Sequence, residues 1–288
     1  MGGSAAQVCL SREQVDDFRE RGFTVVRGVF GAEEVVGMAA AFDRIRAQGL
    51  TYPASYRHQN VFFRQSKDAK LGRVLRLVQW PSYFDATLDA VRLDRRMLTI
   101  LAPLIGANLK QIINQLHWKP PGAAAAEFAY HQDIRFRRPR SAFRDLPTSY
   151  VQTGIAVDPH RSLNGCMRML PGSHLLGELP LDQAGPVLTR SASDEELRRV
   201  GLDPADLLDI ELEPGDVALW HLLTVHGSGP NRSEMDRRFY INGYVVGANS
   251  DRGVWAFREG EPCALGEPVL IHYEDLHRHP EPFFVEAD

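Results

Sequence analysis

Tyr130-His131-Gln132-Asp133 places an imidazole and a carboxylate two residues apart. On a strand, residues two apart face the same side, so both groups would converge on one point. That is two of the three donors in the two-histidine, one-carboxylate face of a non-haem iron(II) site, whose open positions receive co-substrate and oxygen. On an exposed strand the same pair would be an ordinary salt bridge, so a third donor decides the matter. His174, His221 and His226 are the candidates. His174 lies in Pro171-Gly172-Ser173-His174, which reads as a turn. His221 follows Trp220 and reads equally as a satisfied core histidine. His226 stands in Thr224-Val225-His226-Gly227-Ser228-Gly229-Pro230 and is modestly preferred.

Eleven residues past His226, Arg237 opens Arg237-Arg238-Phe239-Tyr240-Ile241. Alternation puts Arg237, Phe239 and Ile241 on one face and Arg238, Tyr240 and Asn242 on the other. If the Phe239 face is internal, Arg237 is a buried guanidinium that needs a carboxylate. No acidic residue nearby in sequence is an obvious partner, so a ligand could supply it. The alternative parity leaves Arg237 on the surface.

The elements that must position these residues fall into two groups. Leu10–Gly22 reads as a helix, with Ser11 and Gln14 as a capping box, Leu10 stapled to Val15 and Gly22 as the C-terminal cap. Phe23–Phe30 reads as a short strand and Ala32–Gln48 as a helix with a Val35, Ala39, Phe42, Ile45 stripe. Tyr52–Lys70 is polar and aromatic without periodicity and reads as a loop. Tyr83–Ile105 reads as a helix broken near Asp94. From residue 108 short strands are expected at Leu109–Trp118, Tyr150–Asp158, Cys166–Leu170, Asp216–Trp220 and Arg237–Val246, separated by Pro-Gly, Asn-Gly and Gly-Ser-Gly. Helices followed by many short strands predict a mainly β protein, a sandwich or barrel with a helical layer outside. A single domain is expected over residues 1–288, with helical support at about 11–105, a β core at about 108–247 and a tail at 248–288.

The chain has 288 residues, 44% hydrophobic and 24% charged, which is ordinary for a globular domain and unlike a collagen, a coiled coil or a disordered tail. A net charge of -4 argues against a nucleic-acid partner. No apolar stretch approaches a bilayer span and no secretory signal is visible, so a cytoplasmic protein is expected. Gly2-Gly3-Ser4 reads as a cloning scar, and Ala6 breaks the myristoylation pattern. Cys9, Cys166 and Cys263 are too few and too dispersed for a disulfide framework. Of the 33 basic residues only Lys67, Lys70, Lys110 and Lys119 are lysines, the mark of a GC-rich genome.

Taken together, His131-x-Asp133, a distant His226 and Arg237 resemble the phytanoyl-CoA dioxygenase family of Fe(II)/2-oxoglutarate-dependent oxygenases. Gln115-Leu116-His117-Trp118-Lys119-Pro120-Pro121-Gly122 looks like the family's strand and turn before the metal motif. Ile155-Ala156-Val157-Asp158 and Asn164-Gly165-Cys166-Met167-Arg168-Met169-Leu170-Pro171-Gly172-Ser173-His174 look like its central block. Pro214-Gly215-Asp216-Val217 and His226-Gly227-Ser228-Gly229-Pro230-Asn231-Arg232-Ser233 look like its closing block. Gly22-Phe23-Thr24-Val25-Val26 also fits, and the likeness spans residues 11 to about 247.

The resemblance implies a double-stranded β-helix, or cupin-like jelly roll. By motif position His131, Asp133 and His226 would hold Fe(II). Arg237 and Ser228 would bind the distal carboxylate of 2-oxoglutarate, with Gln115 a weaker contact, and molecular oxygen would be the second co-substrate. A carboxylate at Asp133 disfavours halogenation and favours hydroxylation of a small molecule. Desaturation, epimerisation and ring closure stay open. A metal-dependent isomerase, a 2-oxoglutarate-independent oxygenase and a non-catalytic jelly-roll binding protein are the alternatives. Two features depart from the family. Gly154 stands where a Trp is common, predicting space beside the co-substrate that Tyr150 or Gln152 could fill. The segment with Arg135, Arg137, Arg138, Arg140 and Arg144 is long and basic, and reads as a solvated loop or as a lid over the substrate mouth. Candidate substrate contacts are Tyr56, His58, Phe62, Arg64, Arg135, Phe136 and the tail Ala256–Asp288. The arginine bias is compatible with a tailoring enzyme of bacterial secondary metabolism, including antibiotic biosynthesis. Oligomeric state is not legible.

Overall fold

A computed structural model describes residues 8–123, 127–181, 193–268 and 282–285. Helix α1 (Arg12–Arg21) carries the expected capping box, with Ser11 accepting from Gln14 N and Gly22 closing the helix at φ 85°. Strand β1 (Phe23–Val26) ends earlier than expected, because Asp216 binds Gly28 N and Arg27 and turns the chain. Helix α2 (Ala32–Thr51) runs slightly past its expected end. Helices α3 (Ala86–Arg92) and α4 (Arg95–Ile105) are separated as foreseen at Asp94, whose side chain caps α4.

The segment read as a loop is instead sheet. Strands β2 (Ser55–His58), β3 (Val61–Asp68) and β4 (Gly72–Gln79) pair successively and antiparallel, and β4 continues onto β5 (Leu109–Lys119). The "helical support" at 11–105 is therefore part helix and part sheet extension. Val61 and Phe63 join the core beneath the helices, while Arg57, Phe62 and Arg64 fall on the opposite face. Polar residues on that second face disguise the alternation.

Strands β7 (Tyr150–Ala156), β8 (Met167–Met169), β10 (Val217–His221) and β12 (Arg237–Val246) fall at expected positions, while β6 (Phe128–His131), β9 (Leu208–Ile210) and β11 (His226–Ser228) are additional. Beyond them lie β13 (Val254–Arg258), β14 (Glu261–Pro262) and β15 (Phe283–Val285). The major sheet runs β1-β10-β7-β12-β5-β4-β3-β2-β15, with β13 on β5, and the minor sheet runs β6-β11-β8-β9. The described pairings are antiparallel, and Phe23, Ala156, Met167, Met169, Ile210, Ala218, Trp220 and Phe239 pack between the two sheets. This is the double-stranded β-helix. The outer face of the major sheet, with Leu116, Ile155, Leu219 and Tyr240, packs under α1 to α4. Among the described residues no helix is long and apolar enough to cross a membrane.

Gly154 shows how tight the interior is. A Cβ there would sit 2.0 Å from Phe239 Cζ, so the ring of Phe239, rather than Tyr150 or Gln152, occupies the space a larger residue would fill. Gly154→Ala should lower unfolding stability by about 1–3 kcal/mol through overpacking. In a Phe239→Ala background the same change should cost nothing. Additive costs in denaturant unfolding would contradict the contact.

Candidate active site

The metal motif is built where the two sheets meet. Strand β6 ends at His131, and Asp133 begins a single 3-10 turn, Asp133–Phe136, rather than continuing the strand. The two side chains converge nevertheless, because Gln132 clamps the turn between them. Its amide nitrogen donates to Gly177 O at 2.9 Å and Leu223 O at 2.7 Å, and its oxygen accepts from Leu179 N at 2.8 Å. His226 enters from β11 as the direct cross-strand partner of His131, with ring centroids 4.2 Å apart. His131 Nε2 lies 3.8 Å from Asp133 Oδ1, and His226 Nε2 lies 3.8 Å from Asp133 Oδ2. One ligand atom from each of the three falls within 4.8 Å of the others.

The donors are in the right chemical state for a cation. His131 Nδ1 is bound to Ala129 O at 2.7 Å and His226 Nδ1 to Thr224 O at 2.9 Å. Backbone carbonyls fix the proton on each Nδ1 and leave each Nε2 lone pair facing Asp133. Burial, then the neighbouring His226, pulls the His131 pKa down to about 3, so this ring is neutral. Burial works against the charged form of Asp133. His226, His131, Arg137 and the Trp220 N–H nevertheless hold its pKa below the usual carboxylate value. Trp220 Nε1 donates to Asp133 Oδ2 at 2.9 Å and orients it. The His131 and His226 Nε2 atoms and one carboxylate on one buried face suit a divalent iron ion.

His174 and His221 are elsewhere. His174 Nε2 meets Arg19 O at 3.0 Å, while His221 is held between Pro147 O and Leu223 N. Both brace the α1 end of the sheet.

Arg237 lies on the internal face, as strand parity allowed. It is 3% exposed, Nε has no hydrogen-bond partner among the described residues, and burial pulls its pKa down to about 10. Its neighbour Arg238 points outward and grips Asp158 through Nε and Nη2, so that carboxylate is committed to the other face. The cross-strand partner of Arg237 is Lys119, a residue with no exposed surface. Lys119 Nζ donates to Ser228 Oγ at 2.6 Å, Gly229 O at 2.5 Å and Gly165 O at 3.3 Å. Burial and the charges of Arg237 and Arg76 depress its pKa well below that of a free lysine. Arg76, on β4, is likewise buried, and its Nε and Nη2 lack hydrogen-bond partners among the described residues. Gln115 sits on the same face of β5, with its Oε1 3.0 Å from His117 Nε2. Burial, then Arg237 and Arg76, pulls the His117 pKa down to about 3. The cluster is strongly cationic: Asp68 acts on Arg76 and Glu127 on Lys119 from a distance, but no carboxylate forms a salt bridge with Arg237, Arg76 or Lys119 among the described residues.

The candidate substrate contacts divide by register. Phe62 pairs with Gln79, and Gln79 with Gln115, so Phe62 and Arg64 share the face that carries Gln115 and Arg237. Tyr56 stacks on Tyr52 against the helical core, and His58 shares its strand face, so neither points at the site. Phe136 packs against the His131 ring and Arg135 lies over Phe136. The basic segment is no free loop. Arg140 pairs with Glu178, Arg144 pairs with Asp251, and Arg137 is buried. Residues 269–281 and 286–288 of the tail lie outside the described residues, as do residues 1–7. Sequence reasoning missed Gln132, Trp220, Lys119 and Arg76. Each acts through a partner far away in sequence, and only the buried position of Lys119 in a strand beside the motif was available as a signal.

The model of the phytanoyl-CoA dioxygenase (PhyH) family matches residues 18–239. A probable alpha-ketoglutarate-dependent hypophosphite dioxygenase of Stutzerimonas stutzeri is 29% identical over 240 residues, covering 81% of this chain and 78% of that protein. A methylphosphonate hydroxylase of Gimesia maris is 28% identical over 187 residues, covering 60% and 66%. The crystal structure of SnoK, a non-haem alpha-ketoglutarate-dependent carbocyclase from nogalamycin biosynthesis, has the same fold, with a TM-score of 0.63 at 21% identity over 92% of this chain and 98% of SnoK. The chain belongs to the phytanoyl-CoA dioxygenase family and is a non-haem Fe(II)/2-oxoglutarate-dependent dioxygenase.

Proposed function

We propose that His131, Asp133 and His226 hold the Fe(II), that Arg237 and Ser228 seat the distal carboxylate of 2-oxoglutarate, and that the enzyme hydroxylates a C–H bond of a small molecule. The observation that carries this reading is a His–Asp–His face in the same interior as a buried guanidinium that has no salt bridge among the described residues. With oxygen, the bound iron and co-substrate supply oxidative decarboxylation: 2-oxoglutarate, O2 and substrate give succinate, CO2 and hydroxylated substrate.

The chain's own residues then have distinct tasks. Arg237 offers a preformed cation, so the co-substrate is drawn in by charge and held by charge-assisted hydrogen bonds. Lys119 donates to Ser228 Oγ, which leaves the Ser228 hydroxyl hydrogen free to point at the incoming carboxylate. Gln115 contributes its amide to the same pocket. Trp220 keeps Asp133 in place as a ligand. The apolar packing of Phe239 and Trp220 between the sheets keeps water from the interior. A 2-oxoglutarate-independent enzyme or an isomerase has no use for the Arg237 pocket. The fold shared with SnoK supports a place in small-molecule tailoring.

His131→Ala should abolish Fe(II) binding in anaerobic calorimetry. Trp220→Phe should retain binding but weaken it by about 10–100-fold, the usual cost of losing a group that orients a ligand. Native affinity in His131→Ala would remove it from the ligand set.

Arg237→Ala should bind Fe(II) normally while its 2-oxoglutarate requirement for succinate release rises by at least about 30-fold, the lower end for losing a buried charge partner. An unchanged requirement would overturn the anchor.

A further inference from the structure

Another buried guanidinium stands apart from the Arg237, Arg76 and Lys119 cluster. Arg137 follows the metal motif by four residues and is 1% exposed. Its Nε and Nη1 have no hydrogen-bond partner among the described residues. It lies over the ring of Tyr150, 5.1 Å from the centroid. The Tyr150 hydroxyl donates to Gln152, and Gln152 is the cross-strand partner of the Trp220 that orients Asp133. Arg137 closes the 3-10 turn that begins at Asp133, its backbone N–H donating to Ile134 O, and its neighbour Phe136 packs on the His131 ring, which places it beside the metal face.

Position along β12 separates this cation from Arg237. A Cβ on Gly243 would lie 2.1 Å from the Tyr150 hydroxyl, so Tyr150 and Arg137 belong to the Gly243 end of the strand. Arg237 lies six residues away at the other end, about 20 Å along an extended chain. One 2-oxoglutarate bound at Arg237 does not extend to Arg137. Asp133, the carboxylate that opens this turn, is engaged by Trp220 and faces both ligand histidines, and it makes no ion pair with Arg137 among the described residues. Filling that face with a divalent ion adds positive charge and leaves Arg137 with less compensation. A buried guanidinium in that state calls for an anion.

We propose that Arg137 is a substrate-binding residue and that the substrate is a small molecule bearing an oxyanion, a carboxylate or a phospho-oxyanion, which Arg137 holds while the opposite end of the substrate faces the metal. This deepens the reading above and rests on its assignment of the metal face. Tyr150 serves as the floor that keeps the guanidinium plane fixed. The hypophosphite and methylphosphonate named for two relatives are small oxyanions, which makes methylphosphonate, with acetate and inorganic phosphate, a suitable probe set.

The test uses the anaerobic holoenzyme with Fe(II) and 2-oxoglutarate, titrated with each probe in a calorimeter at up to millimolar concentrations. At least one probe should bind saturably at one equivalent. Arg137→Gln should weaken it by at least tenfold and Arg137→Lys by less, with 2-oxoglutarate affinity unchanged in both. Without probe, Arg137→Leu should melt no lower than the wild type, because an unpaired buried charge has been removed, and the probe should raise the melting temperature of the wild type alone. Equal probe affinity in wild type and Arg137→Gln, competition between probe and 2-oxoglutarate, or no binding of any probe to the wild type would overturn the proposal. A marked loss of stability in Arg137→Leu would assign Arg137 to the fold instead. Failure of 2-oxoglutarate itself to bind the wild type would instead count against the iron and co-substrate reading.

Discussion

A cation buried without a carboxylate is the constraint around which this molecule is arranged. Arg237 and Lys119 face each other across β12 and β5, both shielded from water. Such a pair is costly to bury in a low-dielectric interior. The surrounding structure offsets part of that cost with oxygen atoms on Lys119, supplied by Ser228, Gly229 and Gly165. The one carboxylate that could have neutralised Arg237 from the next residue, Asp158, is held on the outer face by Arg238. The fold thus keeps a positive pocket open for a ligand that brings its own negative charge, at the distance from the metal face that the minor sheet imposes.

The two sheets divide that work. The minor sheet delivers His226 opposite His131, and its short strands allow the chain to turn sharply after His131 so that Asp133 comes round to the same point. The major sheet delivers the cations and Trp220, which crosses the gap to bind Asp133. Phe239 and Trp220 of the major sheet pack against Met167, Met169 and Ile210 of the minor sheet, so the separation of the two sheets is set by packing rather than by loops. Sites held this way stay rigid when a charged co-substrate arrives.

The convergence of His131, Asp133 and His226 was legible because the spacing is local in His131-x-Asp133 and because the resemblance supplied His226 and Arg237 at a fixed interval. The strand Arg237–Val246 matched its expected limits, since it is β-branched and aromatic and is paired along its length with β5 and β7. Strands β2 and β3 were not legible. Their site-facing positions are Arg57, Phe62 and Arg64, so the usual apolar face is replaced by one that lines a polar cavity. Lys119, Gln132 and Trp220 were invisible for a related reason. Their roles come from register and from backbone carbonyls contributed by distant segments. The same limit applied at Gly154, where the residue that fills the space comes from another strand.

An anaerobic titration tests the central claim most directly. Fe(II) is added to metal-free protein, then 2-oxoglutarate, while the visible spectrum is followed. The account predicts a metal-to-ligand charge-transfer band that saturates at one equivalent of 2-oxoglutarate. Iron binding without the band would contradict the carboxylate pocket at Arg237, and failure to bind iron would contradict the His131, Asp133 and His226 face itself.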